Sequence, residues 1–194
     1  MRSHIIPSLA ITSLVIAGCT TPAPPPAEET AAPAAAPAQN AVERGRYLVT
    51  VMDCNGCHTP FTPQGEPDMS KMLSGHPEAI KVTAARPPQS PWLASISETN
   101  TAWSGPWGVS FTSNLTPDRV TGIGSWNEQL FIDAIRQGKK SGVGRTLLPP
   151  MPWRMYANLT DDDLKAMFAY LQTIPAIANR VPEPITPAGA PATN

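Results

Sequence analysis

Apolar and small residues recur at helical spacing in three segments of the chain. In residues 41–53, the positions i, i+3, i+4 and i+7 are occupied by Gly45, Leu48, Val49 and Met52. This spacing places the four residues on one face of a helix. The sequence therefore predicts a first helix whose apolar face packs against the rest of a folded domain.

The second and third predicted helices each begin with a capping signal. Ser125 and Glu128 have the spacing of a capping box, and Gly138 is a suitable stop after the apolar face. Thr160 and Asp163 have the same spacing at the start of the third helix. The apolar faces consist of Leu130, Phe131, Ala134 and Ile135 in the second helix, and of Leu164, Met167, Phe168 and Leu171 in the third.

The rest of the chain shows no alternation of apolar and polar residues, so the predicted fold class is all-α with three main helices. Residues 59–124 are rich in Pro, Gly and Ser and contain scattered Trp. An irregular segment of this length is unusual inside a compact domain, and it needs a large object to pack against. A bound cofactor would provide one, and the segment is predicted to be a long irregular insertion around it.

The N-terminal segment has the features of an export signal. Residues 1–18 contain Arg2 and a short apolar stretch that is too short to remain as a membrane span. Residues 16–19 resemble a bacterial lipobox, which implies cleavage before Cys19 and lipid on that residue. The alternative is an ordinary signal peptide in which Cys19 is incidental.

Two Pro- and Ala-rich segments flank the predicted domain. Residues 19–40, which begin with the lipidated Cys19, have the composition of a semi-extended tether. Residues 181–194 have the same composition, and we expect a disordered tail there. The folded domain is therefore predicted to occupy residues 41–180.

Composition excludes several classes of protein. Lys and Arg number 14 against 15 Asp and Glu, and charged residues make up only 15% of the chain. A nucleic-acid-binding protein would show a basic face, so this class is not expected. Three cysteines exclude a disulfide-dense scaffold.

Residues 54–58 form the sequence C-x-x-C-H, which is the attachment motif of a c-type haem. Cys54 and Cys57 can add to the two vinyl groups of a haem, and His58 can then reach the iron. A zinc site would need a second ligand pair, and a thioredoxin-like site would need a βαβ context. Because the motif occurs once, we expect one covalently bound haem c.

The second axial position of the iron decides between an electron carrier and a ligand-binding protein. Met151 lies in residues 147–153, where three prolines stiffen an apolar loop. Met151 is therefore the predicted second ligand, with Met155 and His76 as alternatives. A Met/His pair raises the reduction potential relative to two histidines and leaves no vacant site for oxygen.

Together these motifs resemble a class I c-type cytochrome, and more narrowly one module of the cytochrome subunits of bacterial alcohol, aldehyde and gluconate dehydrogenases. The resemblance is carried by residues 45–48, 54–59, 113–118, 121–126, 149–153 and 158–164. It implies an all-α fold around the haem, with His58 and Met151 as axial ligands. It also implies that the first and third helices cross, with Gly45 close to Phe168 or Tyr170.

The resemblance implies an electron-transfer protein and not an enzyme. Such subunits commonly carry three haem motifs, whereas this chain has one, so we expect a membrane-anchored monohaem shuttle. Its partners would be a periplasmic dehydrogenase, a respiratory complex or an oxidase. Thr20 replaces the aspartate that often retains lipoproteins at the inner membrane, which favours the outer membrane. The alternative is a haem-based sensor with a labile sixth position.

Three further sets of residues have two interpretations each. The tryptophans either wall the haem pocket or form a docking surface. A basic cluster is either a solvated helix end or a docking patch for an acidic redox partner. Arg46 and Arg145 are candidates to pair with the haem propionates. The tryptophans are Trp92, Trp103, Trp107, Trp126 and Trp153, and the basic cluster is Arg136, Lys139, Lys140 and Arg145.

Overall fold

A computed structural model describes residues 41–85 and 88–187. These residues belong to the second of two compact units, Pro37–Asn194. The predicted signal peptide, Cys19 with its tether, and residues 188–194 lie outside the described residues. Within the described part of the chain, every helix is too short or too polar to cross a membrane.

The described residues form five α-helices. The first, α1, is Ala41–Val51, and α2 is Cys54–His58. The others are α3, Glu128–Gln137, α4, Trp153–Tyr156, and α5, Asp161–Leu171. The three long helices, α1, α3 and α5, are the ones that the periodicity of the sequence predicts.

The start of α3 differs from the predicted capping box. Asn127 is the N-cap, and its side chain accepts a hydrogen bond of 2.8 Å from the backbone N–H of Leu130. Ser125 lies before the helix, because a turn closed by the Trp126 N–H and the Ile123 carbonyl holds it there. The predicted stop is correct, since Gly138 ends α3 in the left-handed conformation with φ of 62°.

The start of α5 is as predicted. The Thr160 hydroxyl accepts a hydrogen bond of 3.1 Å from the backbone N–H of Asp163. The carboxylates of Asp161, Asp162 and Asp163 lie in the first turn, where the helix dipole favours negative charge.

Helices α1 and α5 cross at Gly45. A Cβ atom on Gly45 would lie 1.9 Å from the carbonyl oxygen of Ala166 and 2.8 Å from Cβ of Tyr170. Glycine is therefore required for the two backbones to approach so closely. The expected approach to Tyr170 is found, but the nearest atom belongs to Ala166.

The insertion contains a three-stranded antiparallel sheet, so the expectation of an all-α fold is not confirmed. Its strands are β1, Ser95–Ile96, β2, Ala102–Gly105, and β3, Gly108–Phe111, in the order β1-β2-β3. All four residues of β3 are buried, so the strand shows no polar alternation that would reveal it in the sequence.

The C-terminal segment returns to this sheet. Val109 and Ile185 form an antiparallel bridge with two backbone hydrogen bonds of 2.8 and 3.0 Å. Val181 and Ile185 pack on a small apolar cluster around β3. Residues 181–187 thus differ from the disordered tail expected from position 181 onward, because β3 offers them backbone partners and an apolar surface.

Candidate haem site

A cavity lies between α2, β3 and the loop that precedes α4. It contains about 970 Å³ of empty space, part of it open to solvent. Cys54, Cys57, His58 and Met151 all contribute to its walls. The structure therefore brings the attachment motif and the predicted methionine to one cavity, although they are far apart in the sequence.

The two cysteines of α2 are free thiols at the cavity wall. Burial, and then the neighbouring Asp53 carboxylate, raise the pKa of Cys54 to about 12. The same two causes raise the pKa of Cys57. Both groups are therefore protonated thiols at neutral pH in the haem-free chain.

Asp53 holds the attachment turn in shape. It has a left-handed backbone with φ of 54°, and its carboxylate accepts a hydrogen bond of 3.2 Å from the backbone N–H of Gly56. This cap starts α2 immediately after α1, so Cys54 and Cys57 lie one helical turn apart on the cavity side.

His58 is oriented by a backbone group of the insertion. Its Nδ1 lies 2.7 Å from the carbonyl oxygen of Ser113. A carbonyl only accepts, so Nδ1 carries the proton and the lone pair of Nε2 remains available. Burial lowers the pKa of His58, which keeps the imidazole neutral, the form that a metal requires.

The loop that carries Met151 is fixed at both ends. Before the methionine, the Leu147 N–H donates to the Gly138 carbonyl at 2.7 Å. After it, the Tyr156 hydroxyl donates to the Met52 carbonyl at 2.9 Å, which joins α4 to the end of α1. Burial raises the pKa of Tyr156 to about 12, so this hydroxyl keeps its proton.

The two alternative axial ligands lie elsewhere. His76 is fully buried, with Nδ1 2.9 Å from the Thr101 hydroxyl and Nε2 3.0 Å from the Ile80 carbonyl. Neither nitrogen is therefore free for a metal. Met155 is 71% exposed and is not part of the cavity wall. Of the three candidates, the geometry favours Met151.

The walls of the cavity suit a haem. They are mostly apolar, with side chains such as Phe131 and Leu148. Nε1 of Trp103, a buried donor on the cavity wall, has no hydrogen-bond partner. Nε of Arg145, also on the wall, makes no hydrogen bond and lies 3.6 Å from the Glu183 carboxylate. Donors of this kind match the acidic propionates of a haem, since an unpartnered buried donor is costly. These residues fit the group.

Of the two arginines considered for the propionates, only Arg145 lies at the cavity. Arg46 pairs with Glu43 on the exposed side of α1. An adjoining cavity of about 1330 Å³, also partly open to solvent, shares His58, Arg145 and Met151 with the first.

The basic cluster is largely paired within the chain. Arg136 binds Asp161 at 2.6 Å and also donates to the Ala157 carbonyl. Lys140 and Arg145 both approach the carboxylate of Glu183. These ion pairs favour a structural role for the cluster over a free docking patch.

Two of the five tryptophans line the cavities, and the other three, Trp92, Trp107 and Trp153, do not. Trp103 lines the main cavity and Trp126 lines the adjoining one, so these two wall the site. Trp153 packs on Gly138 and beneath the Arg154 guanidinium. Trp92 is 73% exposed and takes no part in either cavity wall.

Sequence reasoning predicted that the insertion packs around a cofactor, but it missed which residues of the insertion form the site. Ser113 orients His58 through its backbone carbonyl, and Ser110, Phe111 and Thr112 also line the cavity. A backbone carbonyl leaves no signature in residue type. The signal that could have been used is that Ser113 is the first residue of the 113–118 motif, which carries part of the resemblance.

Known proteins that are similar to this chain are cytochrome subunits of dehydrogenases. No protein-family model matches the chain. It is 30% identical over 164 residues to the fructose dehydrogenase cytochrome subunit of Gluconobacter japonicus. The aligned residues make up 84% of this chain and 27% of that relative. It is 33% identical over 129 residues to the gluconate 2-dehydrogenase cytochrome c subunit of Pantoea cypripedii. The aligned residues make up 66% of this chain and 22% of that relative.

A third relative is the cytochrome c subunit of the quinone alcohol dehydrogenase of Gluconobacter oxydans (strain 621H). The identity is 30% over 129 residues, which covers 66% of this chain and 20% of the relative. The chain thus spans only about a quarter or less of these curated relatives. The predicted resemblance is confirmed: the chain belongs to the c-type cytochromes and is similar to the modules of dehydrogenase cytochrome subunits.

Proposed function

We propose that this chain is a monohaem c-type cytochrome that carries single electrons. The observation that supports this proposal is the convergence of Cys54, Cys57, His58 and Met151 on one apolar cavity. The two thiols would hold the haem covalently, and His58 and Met151 would ligate its iron. The mostly apolar cavity walls, where the buried Nε1 of Trp103 has no hydrogen-bond partner, suit one such group.

A bound haem supplies a one-electron couple at its iron, and the chain controls how that couple behaves. Ser113 holds the neutral His58 with its Nε2 lone pair free. The proline-rich loop presents a thioether that needs little ordering. The apolar walls exclude water, which together with a methionine ligand favours a high reduction potential.

The proposed partners are redox proteins, with dehydrogenases first among them. The names of the relatives describe subunits of fructose, gluconate and alcohol dehydrogenases. The chain itself would relay electrons from such an enzyme to a respiratory complex or an oxidase, and it would catalyse no substrate reaction. The lipobox at residues 16–19 supports a periplasmic protein anchored by lipid on Cys19, with the outer membrane preferred.

A redox-titrated optical spectrum of the purified holoprotein tests the proposal. The wild type should show one covalent haem by mass, a sulfur-to-iron absorption band, and no binding of carbon monoxide when reduced. Met151→Ala should lose the band, lower the potential and bind carbon monoxide. Met155→Ala, which changes an exposed methionine of the next helix, is the matched control and should behave as the wild type.

Two outcomes would contradict the proposal. A colourless protein without the mass of the adduct would refute haem attachment. Rapid stoichiometric binding of carbon monoxide to the wild type would support the alternative of a haem-based sensor with a labile sixth position.

The lipid anchor is tested separately. In a host that processes lipoproteins, the wild type should fractionate with membranes and show the mass of the lipid on Cys19, whereas Cys19→Ser should carry no lipid. A wild type without the lipid mass would refute the anchor without affecting the haem assignment.

A further inference from the structure

A single stretch of the insertion contacts both sides of the candidate haem site. Ser113 accepts the hydrogen bond from Nδ1 of His58 at 2.7 Å. Three residues earlier, at the end of β3, the hydroxyl of Ser110 donates to the carbonyl of Pro149 at 2.5 Å. Pro149 lies two residues before Met151. Residues 110–113 thus join the histidine and the methionine loop.

The Ser110 hydroxyl is committed to this contact. Its oxygen also lies 3.4 Å from the Trp103 carbonyl, but one hydroxyl proton serves one acceptor well, and the Pro149 carbonyl is much closer. Nε1 of Trp107 donates to the Ser110 oxygen at 3.3 Å, which leaves the hydroxyl proton for Pro149. Ser110 is only 7% exposed, so water competes little for the bond.

The methionine loop has few hydrogen bonds of its own. Pro149, Pro150 and Pro152 have no N–H group, and the Met151 N–H makes a long contact of 3.3 Å with the Leu148 carbonyl. The anchor at Leu147 lies before this stretch. A hydrogen bond from the sheet therefore holds the part of the loop nearest to the methionine.

We propose that Ser110 is a positioning residue for Met151, acting through the Pro149 carbonyl. The insertion would then fix the methionine near the iron as well as orienting His58. This inference rests on the proposed function, because it presupposes that Met151 ligates the iron.

The test is a titration of the oxidised holoprotein with imidazole, which replaces a methionine ligand and removes the sulfur-to-iron band. Ser110→Ala should bind imidazole about fivefold more tightly than the wild type, since the loss of one buried hydrogen bond eases release of the loop. Met151→Ala sets the upper limit of the imidazole affinity, because it has no methionine for imidazole to replace. Trp107→Phe should change the affinity in the same direction by a smaller factor.

Ser104→Ala is the matched control. Ser104 pairs with Val109 in the same sheet, is also 7% exposed, and its hydroxyl has no hydrogen-bond partner. Its variant should bind imidazole as the wild type does. Global unfolding of both serine variants is measured alongside, and a difference in imidazole affinity without a matching difference in unfolding identifies positioning.

The outcomes separate this inference from the proposed function. If the wild type shows the band, Met151→Ala loses it, and Ser110→Ala and Trp107→Phe both bind imidazole as the wild type does, the positioning role is refuted while the ligand assignment survives. If the wild type lacks the band, the ligand assignment and the positioning role both fail. If Ser110→Ala does not accumulate as holoprotein, the imidazole affinity of Trp107→Phe decides whether Ser110 positions Met151.

Discussion

At the scale of single residues, the environment of a side chain decides its chemistry here more than its type does. His58 and His76 are both buried, yet His58 keeps one nitrogen free and His76 uses both in hydrogen bonds. Met151 lines the cavity, whereas Met155, four residues later, is exposed. The surroundings of each side chain thus show which of two residues of the same type is available as a ligand.

Gly45 provides the sharpest prediction at this scale. Gly45→Ala would place a methyl group 1.9 Å from the Ala166 carbonyl, so α1 and α5 would have to separate. We expect a loss of about 2 kcal/mol or more in the free energy of unfolding, even after the gain of about 1 kcal/mol in helix propensity. Denaturant unfolding of the holoprotein measures it, with Val51→Ala on the exposed end of α1 as the control. Unchanged stability would mean that the crossing is looser than described.

At the scale of elements, buried polar side chains tie the insertion to the chain after α5. Asn114 is 3% exposed, and its amide donates to the Ile177 carbonyl at 2.8 Å. Its oxygen accepts from the N–H and hydroxyl of Thr116. Asn179 donates to the carbonyls of Ser74 and His76. These bonds fix the path of the C-terminal segment.

Asn114→Ala should therefore be strongly destabilising. It leaves buried partners without hydrogen bonds, and we expect a loss of about 3 kcal/mol in the free energy of unfolding. Asn158→Ala is the matched control, because Asn158 is exposed and its amide bonds only nearby carbonyls. The two variants are compared by denaturant unfolding, and equal stability would contradict the assigned network.

Glu183 gives the C-terminal segment a pH dependence. The hydrogen bond from Lys140 holds the pKa of Glu183 below its usual value. The folded state thus favours the carboxylate, so the contribution to stability is present above the unfolded pKa of about 4.3 and is lost as the pH falls through the lower folded value. Because the side chain is largely exposed, the contribution should be below about 1 kcal/mol.

The measurement is denaturant unfolding of wild type and Glu183→Gln over a range of pH. The stability difference should be largest at neutral pH and should shrink in acid. A difference that is constant with pH would show that the Lys140 pair contributes nothing.

At the scale of the whole molecule, the main apolar core and the sheet meet across the cavity. Phe131, Ile135, Met167 and Leu171 belong to the core and also line the cavity. On the other side, Phe111 belongs to the small cluster of the sheet. A haem bound in the cavity would therefore contact both apolar clusters.

The haem-free chain should accordingly lack a cooperative fold. Cys54→Ala/Cys57→Ala, expressed without haem attachment, is expected to keep part of its helical far-UV circular dichroism and to lose its near-UV signal and sharp unfolding transition. Wild-type holoprotein is the control. A cooperative transition with the same midpoint in the double variant would show that the clusters are stable without the cofactor.

Features that depend on neighbouring residues follow directly from the amino-acid sequence. The attachment motif at residues 54–58 is contiguous, and α1, α3 and α5 follow from periodicity and local caps. Met151 was predicted because its prolines are adjacent to it. The incorrect prediction of Ser125 as the N-cap of α3 also has a local cause, since Ser125 and Asn127 are both good cap residues.

The sheet, the path of residues 181–187, and the contacts of Ser110 and Ser113 become visible only in the folded chain. Strands this short and this buried have no periodic signature, and their pairing depends on partners far along the chain. Every residue has a backbone carbonyl, so residue type does not reveal which carbonyl orients a histidine. Only the folded chain shows which carbonyl lies beside His58.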